Sequence, residues 1–307
     1  MTMPLAADLA HRAAIDSPGA WVPDMVRAAF GHVALQEVAE TAGVDLLHVK
    51  GPALDSALSW AGRTSSDADV LVRPRHLVRL LTAVSGVGWR QYDTFAASSA
   101  FSHAITFHHD WWGYADIHRL VPGFRVAPEE AFDYLWHRRE TTHIAGRPCP
   151  VPDRAAQALV LLLHAARSRN PSKGEQDLDQ AWFAQRPDFR DEVRRTAAIL
   201  DAQMPLAVAL DDDVDAYWDD PDLDLWMVLS SGGSRLREWK ARIKGSHGMR
   251  GKAATVAKSV VVNTDHLAIM LGRTPTAQDV AKEVVARVAR GVAEEYRAGT
   301  WRPRWPR

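Results

Sequence analysis

The sequence predicts an α/β (α+β) fold in which a mixed sheet with helices occupies the first half of the chain and helices dominate the second half. Two observations lead to this prediction. In residues 1–125, segments with a helical period alternate with short strand-like segments, in the order α-β-α-β-α followed by two or three strands. Beyond Pro148, apolar residues recur mainly at helical spacing, as in 154–167. We therefore place a soft domain boundary at Pro148.

The elements of the first half follow from the spacing of apolar residues and from the glycines and prolines between them. Helices show a three- and four-residue period, whereas strands alternate or form short apolar runs. In chain order, the predicted elements are a helix over 23–41, a strand over 44–49, a helix over 53–60, a strand over 67–72, a helix over 75–84, and strands over 102–108 and 114–120. Pro52 suits the first turn of the helix over 53–60, because its missing N–H would be unpaired there.

The second half contains further predicted helices, over 154–167, 176–183, 189–203 and 277–296. The two ends of the chain lack such periodicity, and chain ends of that kind are commonly flexible. The predicted organisation is a flexible N-terminus over 1–20, an α/β domain over 21–148, a helical domain over 149–300 and a flexible tail over 301–307.

Composition restricts the class of protein. A chain of 307 residues with 47% hydrophobic residues can bury a full core, and its formal net charge of −1 disfavours nucleic acid as a partner without excluding it. The single cysteine, Cys149, rules out an internal disulfide framework and fits a reducing cytoplasm. His11 and Arg12 lie where a signal peptide needs apolar residues, and the apolar run over 155–166 is too short to span a bilayer. We expect a cytoplasmic protein with no membrane partner.

Three aspartates and one histidine in the predicted strands carry the clearest chemical signal. Asp67 and Asp69 are separated by one strand residue, so both side chains point to the same face, about 6–7 Å apart along the chain. Asp116 and His118 share a face of a later strand for the same reason. Neighbouring carboxylates in an apolar strand repel each other unless a cation is present, and Mg²⁺ prefers oxygen ligands. A solvated strand end is the alternative interpretation of Asp67 and Asp69.

Lys50 and Gly51 follow the predicted strand over 44–49 and precede a predicted helix. Glycine allows the backbone to approach a ligand closely, and a helix N-terminus offers free N–H groups to phosphate oxygens. Lys50 adds a positive charge, and Arg63 lies in a loop four residues before Asp67, within reach of the same phosphates. An ordinary turn is the alternative interpretation of Lys50 and Gly51.

Histidines support a competing hypothesis, a metal-dependent hydrolase. Its site would combine Asp110 or Asp116 with a set of four histidines, namely His103, His108, His109 and His118. Their spacing differs from that of a helix-borne pair of zinc ligands. His164 is a separate candidate on an apolar helix face, where a packed core histidine and a cleft residue are both consistent with the sequence.

Three segments together resemble a known family. They are Leu46-Leu47-His48-Val49-Lys50-Gly51-Pro52-Ala53-Leu54, then Arg63-Thr64-Ser65-Ser66-Asp67-Ala68-Asp69-Val70-Leu71-Val72, and then Ala115-Asp116-Ile117-His118. In content and order they are similar to the motifs of the poorly characterised bacterial nucleotidyltransferases of the DNA polymerase β-like superfamily. The resemblance covers roughly residues 20–200. Gly51-Pro52 departs from the Gly-Ser or Gly-Gly that is usual at this turn in the wider superfamily.

The resemblance implies a nucleotidyltransferase-like mixed sheet, with 21–148 as the catalytic domain, followed by a mostly helical domain. It also implies roles for the residues named above. Asp67, Asp69 and Asp116 would bind Mg²⁺, or else Mn²⁺, and would act in catalysis together with His118. The implied nucleotide-binding residues are Lys50, Gly51, Arg63 and Ser66.

We therefore expect a metal-dependent nucleotidyltransferase that moves a nucleoside monophosphate from a nucleoside triphosphate, with ATP the expected nucleotide, and releases pyrophosphate. The expected acceptor is a hydroxyl, carboxylate or phosphate of a small molecule or peptide, in the modification of a natural product or peptide. The alternatives are a non-catalytic module of the same fold that binds a nucleotide or peptide, and the histidine-based hydrolase. The sequence assigns no role to the basic segment over 239–262.

Overall fold

The computed structural model describes residues 22–93, 101, 103–168, 170–233, 235–245, 267, 273 and 275–298. The predicted flexible segments over 1–20 and 301–307 lie outside the described residues, as does most of the basic segment over 239–262.

The described residues contain helices and strands in an order that agrees with the prediction for most of the chain. The strands are β1 (Leu46–His48), β2 (Asp67–Val72), β3 (Arg90–Gln91), β4 (Ala104–His109), β5 (Gly113–His118), β6 (Glu140–Ile144) and β7 (Arg147–Val151). The helices are α1 (Asp24–Thr41), α2 (Leu77–Gly86), α3 (Pro128–His137), α4 (Arg154–Ala165), α5 (Pro171–Leu178), α6 (Pro187–Ile199), α7 (Gln203–Leu210), α8 (Leu223–Ser230), α9 (Arg235–Gly245) and α10 (Ala277–Ala298).

Five strands form a mixed sheet in the order β1-β2-β5-β4-β3. The central pair, β2 and β5, is parallel and places Asp69 opposite Asp116, whereas the other neighbours are antiparallel. The mixed sheet confirms the predicted fold class. Its central strands bring together two segments that lie far apart in the sequence.

The two faces of β2 are covered by different helices, as its alternation predicts. Ala68 and Val70 belong to the hydrophobic cluster that contains Leu35 of α1. Leu71 belongs instead to a cluster with Phe132 of α3 and Val160 of α4. Asp67 and Asp69 therefore lie on the face that α4 covers, because they share the parity of Leu71.

The helix predicted over 53–60 is wrong. Two short 3₁₀ turns, Gly51–Ala53 and Ser56–Leu58, take its place. Leu54 between them has extended backbone, and the Asp55 side chain accepts a hydrogen bond from the N–H of Ala57, which caps a new turn. No α-helix begins at Gly51, so this turn has no α-helix N-terminus that could bind a phosphate.

The sequence interpretation also missed several elements. The hairpin of β6 and β7 was not predicted, because Pro148 and Pro150 in β7 argue against a strand. A two-stranded sheet tolerates these prolines, since each strand has an unpaired edge. Helix α3 and the two-residue strand β3 were missed as well. The predicted boundary at Pro148 falls inside the hairpin and stays a prediction.

The second half of the chain is mostly helical, as predicted. Helix α4 lies at its centre, with Leu159, Leu161 and Leu162 fully buried. The helix predicted over 176–183 consists of the end of α5 and a π-helical turn, Asp179–Phe183. Among the described residues, every helix is too short or too polar to cross a membrane.

Candidate active site

The site is built on the parallel pair of β2 and β5, where Asp69 and Asp116 are paired residues. Asp69 is 4% exposed. Its Oδ1 atom accepts hydrogen bonds from Lys50 Nζ at 2.7 Å and from His118 Nε2 at 2.8 Å. Burial opposes ionisation of this carboxyl, but Lys50 and His118 outweigh it and hold the pKa of Asp69 well below its ordinary value. Asp69 is therefore ionised at neutral pH.

Two further carboxylates surround Asp69. Asp67 precedes it by two residues on the same face of β2, and the negative charge of Asp69, followed by burial, raises the pKa of Asp67 to about 6. Burial and then the charge of Asp69 raise the pKa of Asp116 to about 6. Thr106 Oγ1 donates a hydrogen bond to Asp116 Oδ1 at 2.6 Å and fixes its orientation. The charge of Asp69 thus makes ionisation of Asp67 and Asp116 more costly.

Asp69, Asp116 and His118 form a group that can hold a metal ion, with one ligand atom from each residue and all such atoms within 4.8 Å of one another. Burial lowers the pKa of His118, so its imidazole is neutral at pH 7 and donates its Nε2 proton to Asp69. His118 thereby orients the carboxylate. The carboxylates of Asp67, Asp69 and Asp116 offer oxygen ligands of the kind that Mg²⁺ and Mn²⁺ take, and a cation would relieve their mutual repulsion.

Lys50 and Gly51 form a tight turn directly after the strand ladder of β1 and β2. The N–H of Val49 donates to the carbonyl of Asp69 at 3.0 Å, which places the next residue, Lys50, beside the Asp69 side chain. Both Lys50 and Gly51 have positive φ angles, of 63° and 53°. A Cβ at Gly51 would lie 2.8 Å from Ser65 Oγ, so a larger residue does not fit. Because Lys50 is not a glycine, its positive φ angle strains the backbone, and such strain is common at functional sites.

Burial favours the neutral form of Lys50, yet Asp69 raises the pKa of Lys50 above its ordinary value, so the amine stays charged. The predicted phosphate-binding lysine therefore pairs with the predicted metal ligand. Any phosphate contact at this turn would use the Lys50 ammonium and the backbone of the turn itself.

Arg63 lies in the loop before β2, and its guanidinium is already paired with a carboxylate. Its guanidinium donates to both carboxylate oxygens of Asp177 on α5, at 2.9 and 3.3 Å, and Trp60 Nε1 donates to the same carboxylate at 2.9 Å. Asp177 is fully buried. The pair holds the loop before β2 against α5, and a contact of Arg63 with phosphate stays a prediction. Ser66 is exposed in that loop, directly before β2.

The four histidines of the hydrolase hypothesis do not gather at one point. His103 and His118 lie side by side, with ring centroids 5.2 Å apart. His109 packs instead on Trp89 at 5.3 Å, on the opposite face of the sheet. His108 packs on Tyr114 at 4.8 Å, toward the start of β5. Among the described residues, the group able to hold a metal contains one of the four histidines.

A buried chain of polar side chains behind the turn was missed by the sequence interpretation. Gln36 Nε2 donates to Glu40, so Gln36 Oε1 accepts from His48 Nε2 at 2.8 Å. Burial lowers the pKa of His48 and of His32, the latter to about 4, so both rings are neutral. His48 Nδ1 therefore accepts from His32 Nδ1 at 2.8 Å, which leaves a bare lone pair on His32 Nε2. That buried atom has no hydrogen-bond partner among the described residues.

His32 is close to the turn, because a Cβ at Gly51 would lie 3.7 Å from its Nε2 atom. The signal that could have found it is the spacing of His32 and Gln36 on α1, four residues apart on a face that is otherwise apolar.

Helix α4 brings two more polar residues to the site. His164 has a buried Nδ1 atom without a hydrogen-bond partner among the described residues. Burial and then the charges of Lys50 and Arg167 lower the pKa of His164. His164 thus faces the cations of the cleft, and its ring lacks the hydrogen bond that a satisfied core histidine would have. Arg167 lies just beyond the last residue of α4 and had no role assigned from the sequence.

Comparisons with known proteins identify a family for this chain. The sequence model of a family described as uncharacterised nucleotidyltransferases matches residues 27–211. No curated protein matches the chain.

Three solved structures are similar to part of this chain. The antibiotic-resistance factor ANT(2'')-Ia is 15% identical, with a TM-score of 0.39 over 55% of this chain and 90% of its own. The lincosamide antibiotic adenylyltransferase LnuA, bound to lincomycin, is 15% identical, with a TM-score of 0.32 over 54% of this chain and 94% of its own. A nucleotidyltransferase-like protein from Paracoccidioides brasiliensis is 13% identical, with a TM-score of 0.35 over 59% and 94%.

The matched family segment covers more than half of the chain and includes β1, β2, β5 and α4, which together form the site. The chain therefore belongs to the family of uncharacterised nucleotidyltransferases.

Proposed function

We propose that the protein is a divalent-metal-dependent enzyme that transfers a nucleoside monophosphate from a nucleoside triphosphate to an oxygen of a small-molecule or peptide acceptor. The observation that carries this proposal is the pairing of Asp69 with Asp116 across two parallel strands, with Asp67 on the same face and the charged Lys50 in contact with Asp69. The carboxylates can hold a divalent cation, and this cation together with the charged Lys50 can hold a triphosphate.

In the proposed reaction, the acceptor oxygen bonds to the α-phosphorus and the bond from that phosphorus to the bridging oxygen of the β-phosphate breaks. The bridging electrons leave with pyrophosphate. The proton of an acceptor hydroxyl passes to a carboxylate of the site, for which we propose the oxygen of Asp116 that does not bind the metal.

Asp67, Asp69 and Asp116 would hold Mg²⁺ or Mn²⁺, which supplies neutralisation of phosphate charge and alignment of the reacting oxygens. His118 keeps Asp69 oriented through the 2.8 Å hydrogen bond. Lys50 and the backbone of Gly51 would contact phosphate oxygens, and Arg63 and Ser66 would line the entrance of the triphosphate. ATP is the nucleotide that we propose to test first.

The experiment is calorimetric titration of each of the four nucleoside triphosphates in the presence of Mg²⁺, with wild type and with Asp67→Asn and Asp69→Asn. We expect binding that requires both Mg²⁺ and the aspartates. Once an acceptor is known, each substitution should lower turnover by at least about 100-fold, because a central electrostatic element is lost.

Thr106→Val is the matched control in the same cleft. It removes one hydrogen bond to Asp116 and leaves all three carboxylates in place. Equal binding by wild type and both aspartate variants would contradict the proposal. Binding without turnover of any acceptor would favour the non-catalytic module.

A further inference from the structure

Arg167 is a partly buried cation without a carboxylate partner in the part of the chain that the structure describes. Its Nε atom donates to the carbonyl of Leu163 at 3.0 Å. The guanidinium carbon lies 5.4 Å from the ring centroid of Phe101 and 5.9 Å from that of Trp226. Burial lowers the pKa of Arg167 to about 10, and no carboxylate among the described residues offsets that effect. The side chain is therefore still charged at neutral pH. No carboxylate among the described residues pairs with its guanidinium.

The position of Arg167 follows from one stripe of α4 and from the turn after this helix. The stripe consists of Ala156, Val160 and His164 at helical spacing, and Arg167 continues it two residues beyond the end of α4. Val160 belongs to the cluster that contains Leu71 of β2. Leu71 lies two residues beyond Asp69 on the same strand face, and one helical turn separates Val160 from His164. The stripe thus becomes polar at His164, and the strand face opposite it changes in the same way from Leu71 to Asp69.

Electrostatic effects agree with this alignment. Burial lowers the pKa of His103, and the neighbouring His118 and then Arg167 lower it further. Arg167 also contributes to the lowered pKa of His118, after burial and Lys50, and of His164. Its positive charge therefore acts on three histidines near Asp69, namely His103, His118 and His164.

The cleft has an unusual distribution of charge. Asp67, Asp69 and Asp116 lie on the sheet, whereas Arg167 lies just beyond α4, close enough to lower the pKa of His118, and pairs with no carboxylate among the described residues. A charged guanidinium without a partner is costly in a buried place, and its planar fork matches phosphate oxygens. A ligand that pairs with Arg167 and also binds a metal ion held by the carboxylates needs anionic oxygens at both places. A triphosphate chain has this property.

We propose that Arg167, together with the Nδ1 atom of His164, binds the β- and γ-phosphates of the nucleoside triphosphate, opposite the metal-binding aspartates. This inference rests on the proposed function and names the residues of α4 that would select a triphosphate over a monophosphate. The Nδ1 atom of His164 is buried and has no hydrogen-bond partner among the residues that the structure describes, and it would contact a phosphate oxygen or its bound water.

The test compares two ligands of one base, a non-hydrolysable nucleoside triphosphate and the corresponding monophosphate, by calorimetry with Mg²⁺. Arg167→Gln should weaken triphosphate binding by about 10- to 100-fold, the range expected for hydrogen bonds to a charged group. Monophosphate binding should change less than about 2-fold, because that ligand lacks the two phosphates in question. Arg167→Lys should recover part of the loss, since it restores the charge without the fork.

Arg190→Gln is a matched control. Arg190 is also a partly buried arginine that lies over a tryptophan, with its guanidinium carbon 6.0 Å from the ring centroid of Trp182. We expect this substitution to leave the binding of both ligands unchanged.

The outcomes separate this inference from the proposed function. Triphosphate binding that depends on Asp69 but not on Arg167 would overturn the role of Arg167 alone. Equal losses for triphosphate and monophosphate would also overturn it, because they indicate a structural role. The absence of any Mg²⁺-dependent triphosphate binding in the wild type would overturn both.

Discussion

Lys50 Nζ lies 2.7 Å from Asp69 Oδ1, the oxygen that also accepts a hydrogen bond from His118. A divalent cation bound by Asp69 has to compete with this ammonium group, because two positive charges cannot share one carboxylate oxygen at low cost. In the proposed function, metal binding would displace Lys50 toward the phosphates. Lys50 would then stabilise the carboxylates in the free protein and the triphosphate in the complex.

Lys50→Met should tighten the binding of Mn²⁺ to the nucleotide-free protein by about 10-fold, the factor that corresponds to one unit of pKa. The same substitution should weaken triphosphate binding, since a phosphate contact is lost. Calorimetric titration of Mn²⁺ alone and then of Mn²⁺ with nucleotide measures the two effects. Lys240→Met is the control, because Lys240 is an exposed lysine of α9. Equal metal affinity of wild type and Lys50→Met would show that Lys50 does not compete for Asp69.

Metal binding should depend on pH through Asp67 and Asp116, whose pKa values are both raised to about 6. A carboxyl has to lose its proton before it binds a metal, so affinity should rise as pH increases through about 6 and then level off. Titration of Mn²⁺ at pH 5, 6, 7 and 8 tests this expectation. An affinity that stays constant between pH 5 and 8 would contradict the raised pKa values.

The same carboxyls should destabilise the metal-free protein at neutral pH. An acid with a raised pKa in the folded state binds more protons there than in the unfolded state, so stability falls as pH rises toward and through 6. Asp67→Asn should therefore stabilise the metal-free protein at pH 7.5 by about 1 kcal/mol while it removes activity. Urea unfolding with a chelator present provides the measurement. A loss of stability in this variant would mean that Asp67 contributes to folding.

Much of the site follows from sequence periodicity, whereas its long-range contacts do not. The two-residue period of strands places Asp67 with Asp69, and Asp116 with His118, on common faces, and this local rule holds in β2 and β5. The pairing of Arg63 with Asp177 joins residues 114 positions apart, and no local pattern indicates it. The helix predicted over 53–60 fails in a segment with similar long-range contacts, because Asp55 N–H donates to Gln157 Oε1 and the carbonyl of Ala57 accepts from Gln180, 102 and 123 positions away.

The neutral histidine pair behind the turn should make stability depend on pH in the opposite sense. Burial lowers the pKa of His32 to about 4, so the unfolded chain binds more protons than the folded chain between about pH 6.5 and 4. Stability from His32 should be present above pH 6.5 and lost as pH falls toward 4. Unfolding of wild type and His32→Leu in urea over this range separates this effect from that of Asp67.

His48→Leu alone should cost about 1–3 kcal/mol, because it leaves Gln36 Oε1 and His32 Nδ1 unpaired in a buried place. The double substitution His32→Leu/His48→Leu should cost less than the sum of the two single changes, since each removes the partner that the other leaves behind. Additive losses of stability would contradict the hydrogen bond between the rings.

The Arg63–Asp177 pair offers the sharpest test of a role that the sequence assigns to phosphate binding. Asp177 is fully buried and accepts hydrogen bonds from Arg63 and Trp60, so Asp177→Leu should cost about 3–5 kcal/mol by leaving the guanidinium without a partner. Arg63→Met should destabilise the protein by a similar amount, and the double variant should recover much of the loss. Urea unfolding measures all three. If Arg63→Met instead weakens triphosphate binding without a change in stability, its main contact is with phosphate and the pair with Asp177 is secondary.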